Sequence, residues 1–231
     1  MLGETPLRYA GYTSWRGIAD VAGAVPPAEV TEMWGPAARF GFATLGGGET
    51  YWFAVLNAPE GAREPNSLEV VTRHFAHWAE PVPRLLASTR PEQVIRTDIH
   101  DRPPVPSWSR GPVTLLGDAA HPTTPNLGQG GSMAIEDAVV LAHALERAPS
   151  LAEALAEYER RRVARTARIV QASFRFGKLA QMKNPFAIFL RNLVLRMTPE
   201  GVVQKELARS AKFSLDEAAI PAMRAASRPT P

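Results

Sequence analysis

The residues with the clearest capacity for chemistry lie in one continuous run, Gly117-Asp118-Ala119-Ala120-His121-Pro122-Thr123-Thr124-Pro125-Asn126-Leu127-Gly128-Gln129-Gly130-Gly131-Ser132-Met133-Ala134-Ile135-Glu136-Asp137-Ala138. Asp118 follows the apolar segment Val113–Leu116, which reads as a strand, while Ala134, Ala138, Leu141 and Leu145 mark one face of a following helix. Strand, loop and helix in that order place a carboxylate and a glycine-rich loop at the carboxyl end of a strand, where ligands of open α/β sheets bind. Gly128, Gly130 and Gly131 have no side chains to hold a flat ligand away. The unpaired amides of the helix's first turn favour an anion or a developing negative charge.

The neighbouring polar residues read as structural. His121 is expected to be a hydrogen-bonding loop residue rather than an acid or base, and Glu136 and Asp137 are acids early in a helix, where its dipole suits them. The chain has no cysteine, which excludes a disulfide framework, a thiolate metal site and a cysteine nucleophile. No zinc motif and no G-x-S-x-G occurs either.

The elements around this segment follow from periodicity. Arg39–Leu45 and Glu49–Leu56 alternate around Gly46, Gly47 and Gly48 and predict a hairpin, with Tyr12–Ile18 and Val94–Ile99 as further strands of an antiparallel or mixed sheet. Asn66 with Glu69 forms a capping box for a helix over Ser67–Ala79, and a short turn is expected over Arg84–Ala87. Asp101 to Pro106 is a proline-rich connector. Ser150 with Glu153 opens a long helix whose Arg160, Arg161, Arg162, Arg165 and Arg168 read as a solvated face. From Pro185 the chain is expected to be helical to about Ser210, with Thr198 and Pro199 starting a new turn. The domain reading is therefore 1–100 for sheet and helix, 101–148 for the strand-loop-helix segment, 149–220 for C-terminal helices and 221–231 for a disordered tail.

With 231 residues and 45% hydrophobic content, the chain can bury a sizeable core. Its formal charge of +3 is too small an excess to indicate a nucleic-acid partner. Met1–Arg8 shows no basic segment followed by an apolar run, so no signal peptide is readable there and a cytoplasmic location is expected. Phe186–Met197 is interrupted by Arg191, Asn192 and Arg196 and is too short to cross a bilayer.

The segment from Gly117 to Ala138 resembles the second flavin-binding motif of the class A FAD-dependent monooxygenases, the para-hydroxybenzoate hydroxylase family. It is especially similar to the zeaxanthin epoxidase and urate hydroxylase branch. Tyr12-Thr13-Ser14-Trp15-Arg16-Gly17, Arg39-Phe40-Gly41, Tyr51-Trp52-Phe53 and Asp101-Arg102-Pro103-Pro104 also resemble that family, so the likeness runs along nearly the whole chain. It implies an α+β or α/β fold in which a substrate-domain sheet precedes the FAD-contacting segment. Asp118 would accept a hydrogen bond from a ribityl hydroxyl, and Pro125 would lie beside the isoalloxazine. Gly128 and Gly130 would keep the loop thin, and Gly131 and Ser132 would offer N–H groups to the ring's pyrimidine edge. The family usually has Asn where this chain has Ser132.

The same resemblance implies reduction of FAD by NAD(P)H, reaction of oxygen at flavin C4a, and transfer of one oxygen atom to an aromatic or other apolar small molecule. No catalytic side chain is then expected. Trp15, Arg16, Phe40, Phe42, Trp52 and Phe53 would lie on the substrate side, with only a minority touching substrate. No G-x-G-x-x-G occurs in the chain, so the ADP half of FAD has no seat here. The expectation is a portion inactive without its dinucleotide-binding part, which a second chain or an oligomer could supply. The alternative is a non-catalytic relic acting as a binding or interaction protein.

Overall fold

The structure, a computed structural model, describes residues 5–21 and 29–199, together with Pro26, Gly201 and Phe213. The chain forms two compact units, one built from Arg8–Asp101 with Phe174–Met197, the other centred on Arg102–Ser173.

The first unit holds five strands, β1 (Arg8–Ala19), β2 (Val30–Gly35), β3 (Ala38–Thr44), β4 (Thr50–Asn57) and β5 (Ile95–Asp101), in the order β2-β3-β4-β1-β5. All four pairings are antiparallel. The predicted β3–β4 hairpin forms across Gly46–Gly48, where Gly47 and Gly48 take positive φ. β2 is a strand that the sequence reading did not anticipate.

Alternation along these strands sends Trp15, Phe40, Phe42, Trp52, Ala54 and Leu56 into one core with Val71 and Phe75 of α1 (Ser67–Phe75) and with Val82, Leu85 and Leu86 of α2 (Val82–Ala87). The Asn66 side chain accepts the Glu69 N–H at 3.2 Å, as the capping box requires. α1 stops at Phe75, short of the expected Ala79, and Trp78 folds back to meet the Phe75 ring edge-on at 4.8 Å. Of the six residues expected on the substrate side, Trp15, Phe40, Phe42 and Trp52 are buried in this core, whereas Arg16 is exposed and Phe53 lies on the opposite face.

The second unit contains α3 (Gly130–Arg147) and the beginning of α4 (Leu151–Ala180). The expected cap at the start of α4 forms, with the Glu153 N–H donating to Ser150 Oγ at 3.3 Å, while the Glu153 carboxylate accepts the Ser150 hydroxyl at 3.1 Å. Val113–Leu116 is not a strand: it carries one isolated bridge, from Val113 to Arg110. So short an apolar run becomes a strand only beside a partner, and no further strand pairs with it among the described residues. α5 (Pro185–Met197) completes the first unit and ends before Thr198 and Pro199; beyond these, Gly201 apart, the expected continuation toward Ser210 lies outside the described residues, as does the 221–231 tail.

Candidate functional site

The loop between Gly117 and α3 is held from below by polar contacts. Thr124 and Ser173, both buried, exchange bonds: their hydroxyls meet at 2.8 Å and Ser173 Oγ donates to the Thr124 carbonyl at 2.7 Å. Asn126 Nδ2 donates to Thr124 Oγ1 and to the Ser173 carbonyl, each at 2.8 Å. Upstream, Arg102 clamps the carbonyls of Ala119 and Ala120 at 2.6 and 2.9 Å. Polar groups that would otherwise be left unsatisfied in a buried loop are thereby paired, and the backbone is fixed.

The outer side of the loop is bare. Asp118 is exposed on the short 3-10 turn Gly117–Ala119, and Pro125, Gly128, Gly131 and Ser132 are exposed in turn, with Gly130 half-buried. Gly128 sits at φ 64°, the left-handed region that favours glycine, and its N–H closes the turn onto the Pro125 carbonyl at 3.0 Å. A Cβ placed on Gly128 or Gly131 would meet nothing within 4 Å. Gly131 stands in a helix at a cost relative to alanine, yet no neighbouring atom requires it to be glycine. The space its missing side chain leaves is open to a ligand.

α3 begins after Gln129 with no side-chain cap and no acid in its first turn, so its positive end is uncompensated. Glu136 and Asp137 lie a turn further on and do not serve the dipole. They are buried at the centre of an ion cluster, and this corrects the reading of the arginine run. Arg162 is 1% exposed and donates from Nε to Asp137 Oδ1 at 2.6 Å, from Nη1 to Glu136 Oε2 at 2.7 Å and from Nη2 to the Met133 carbonyl at 3.2 Å. Arg165 grips the Glu136 carboxylate with both arms at 2.8 Å. Leu155, Tyr158, Thr166, Ile169 and Ser173 share the buried face of α4, and Arg162 falls in their spacing. That position was the available signal.

Asp137 also accepts from the Gly117 N–H at 3.0 Å and from His121 Nε2 at 2.5 Å. His121 is a hydrogen-bonding loop residue, as expected from the sequence. Burial alone raises the Asp137 carboxyl, but the bonds from His121, Gly117 and Arg162 outweigh it and hold the group below the usual carboxylate range. Burial also raises Glu136, and Arg165 and Arg162 bring it below its ordinary value. Glu159 anchors the other end of the segment, accepting the backbone N–H groups of Trp108, at 2.7 Å, and of Ser109.

The arrangement fits a flavin. An exposed carboxylate for hydroxyl groups, a thin glycine loop and an uncapped helix N-terminus follow one another along one stretch of chain, with a rigid floor beneath. Among the described residues no group of His, Cys, Asp and Glu is placed to hold a metal ion.

Residues 12–173 match the FAD binding domain family, and the chain belongs to it: it is a member of the class A FAD-dependent monooxygenases. It is 44% identical over 215 residues to the aurachin C monooxygenase/isomerase of Stigmatella aurantiaca, covering 93% of this chain and 56% of the relative. It is 40% identical over 174 residues to an FAD-dependent urate hydroxylase of Klebsiella pneumoniae, covering 74% of this chain and 45% of that one. The chain thus spans about half the length of these relatives. The crystal structure of Klebsiella pneumoniae HpxO complexed with FAD and uric acid superposes with a TM-score of 0.84 at 33% identity, over 91% of this chain and 55% of that one.

Proposed function

We propose that this chain is the flavin-contacting portion of a monooxygenase that uses NAD(P)H and oxygen to hydroxylate or epoxidise an aromatic or other apolar small molecule. It would act in the cytoplasm, with a dinucleotide-binding unit, on the same protein or a second chain, seating the ADP half of FAD. The carrying observation is that exposed Asp118 and the open positions Gly128 and Gly131 lie on one stretch of chain whose intervening loop is pinned by Thr124, Asn126 and Ser173. Relatives named for aurachin C and urate support a small organic substrate.

When bound, the flavin supplies the redox chemistry, taking a hydride equivalent from NAD(P)H and activating oxygen. The chain's own residues bind and orient. Asp118 accepts a hydrogen bond from a ribityl hydroxyl, and Pro125 limits the ring's approach on one side. Gly128 and Gly130 let the backbone come close, while the N–H groups of Gly131 and Ser132 face the pyrimidine edge. Negative charge gathered there is stabilised by the uncompensated start of α3. No proton transfer is assigned to a side chain.

The test is a titration of the chain with FAD and with FMN, followed by flavin absorbance and fluorescence. Because the proposed contacts reach only the ring and ribityl chain, the two flavins should bind with similar, weak affinity. Asp118→Ala should weaken both by about tenfold or more, the scale of losing a hydrogen bond to a charged group. Absence of binding by either flavin, or unchanged affinity in Asp118→Ala, sinks the assignment.

A further inference from the structure

Helix α5 presents its apolar stripe to solvent and turns a cation inward. Its start is well defined: Asn184 Oδ1 accepts the N–H groups of Phe186 and Ala187 at 3.0 and 3.1 Å, and Pro185 takes the first helical position. From there Phe186, Phe189, Leu190, Leu193, Val194 and Met197 recur at the spacing of a single helical face. All six are exposed, from 43% at Leu193 to 74% at Met197. Arg191 is buried instead, donating to the carbonyls of Leu179 and Ala180 at 3.4 and 3.1 Å and lying 5.0 Å from the Trp34 ring centroid.

Along this stretch of chain the charge has one sign. Phe174–Met197 contains Arg175, Lys178, Lys183, Arg191 and Arg196 and no acidic residue. With Arg191 turned inward, the other four are exposed. Exposed phenylalanine and leucine beside exposed lysine and arginine, with no acid between them, is the composition of a helix that lies in a membrane interface. A second copy of the same surface would bring cations against cations. At 13 residues α5 is about 20 Å long, too short to span a bilayer, and among the described residues no helix is long and apolar enough to do so.

We propose that α5 docks the protein in the plane of an anionic lipid surface, its six apolar side chains entering the acyl boundary and Lys183 and Arg196 meeting the headgroups. This does not rest on the flavin reading. The experiment is co-sedimentation of the full chain with phosphatidylglycerol vesicles and with phosphatidylcholine vesicles.

Binding to phosphatidylglycerol should be at least about tenfold tighter than to phosphatidylcholine and should weaken as salt is raised. Phe189→Ser with Val194→Ser changes only exposed side chains. It should leave circular dichroism unchanged and lower vesicle binding by at least about tenfold. Lys183→Glu with Arg196→Glu should abolish the preference for phosphatidylglycerol. Failure of the chain to sediment with either vesicle overturns the proposal, as does equal binding by the Phe189→Ser/Val194→Ser protein. Dimerisation in light scattering that these serines abolish, without vesicle binding, would assign the face to a second copy instead.

Discussion

Arg162 Nε and Asp137 Oδ1 meet at 2.6 Å in the interior, joining α4 to α3, and the same carboxylate holds His121 and the Gly117 N–H. One aspartate thereby ties the start of the candidate loop, its histidine and the long helix together. Arg162→Met leaves two buried carboxylates short of a partner, and removing one member of a buried pair costs about 3–5 kcal/mol. The expected outcome is a urea midpoint shifted far downward, with Arg162→Lys intermediate because an ammonium cannot reproduce the forked contacts. A wild-type midpoint in Arg162→Met would show that the cluster contributes nothing.

Acid should expose the same cluster. Asp137 and Glu136 are held below their ordinary values in the folded chain, so their contribution is complete above the unfolded values of about 4. It is lost as pH falls through the lower folded values. Urea midpoints should therefore hold near neutrality and drop steeply below about pH 4. In Glu136→Gln, less stable throughout, that acid-dependent loss should be smaller, and an unaltered pH profile would remove Glu136 from the account.

Gly131→Ala separates folding from binding. A Cβ there meets nothing within 4 Å, so thermal stability should stay constant or rise by up to about 1 kcal/mol. The methyl group occupies the open space assigned to the ligand, and flavin affinity should fall. If both quantities are unchanged in calorimetry and flavin titration, the ligand lies elsewhere.

Gly17→Ala should do the opposite kind of damage. Gly17 stands opposite Trp52 in the β1–β4 register, and a Cβ on it would lie 2.6 Å from the indole. Trp52 cannot easily retreat, since its Nε1 donates to buried Thr89 Oγ1 at 2.8 Å and its ring stacks on Phe40. Overpacking of this kind costs about 1–3 kcal/mol, to be read from chemical denaturation.

The His100 imidazole is raised above its usual value by its bond to Glu60, which outweighs partial burial. Its small, solvent-screened contribution to stability is therefore present below about pH 6.5 and lost as pH rises through the folded value. Glu60→Gln should bring the His100 titration in a proton NMR series back toward the ordinary range. No movement would mean that the contact is not kept in solution.

Those parts of the fold that depend on local rules were legible in the sequence. The β3–β4 hairpin follows from alternation around three glycines, and both helix caps follow from a side chain and an amide three residues apart. What was not legible depends on distant partners. Arg162 lies among arginines that read as a solvated face, and its acids are 25 and 26 residues away. Val113–Leu116 has a strand's composition but lacks a neighbouring strand among the described residues. The glycines of the loop announce a bare backbone, whereas the Thr124, Asn126 and Ser173 contacts beneath it join residues 47 and 49 positions apart that no spacing rule connects.

Those contacts settle the loop's shape in advance. With its carbonyls, hydroxyls and amide already paired below, the exposed backbone between Asp118 and Ser132 has little freedom left to surrender when something settles on it. Capture of a flat ligand there would be governed by encounter and desolvation rather than by ordering of the loop.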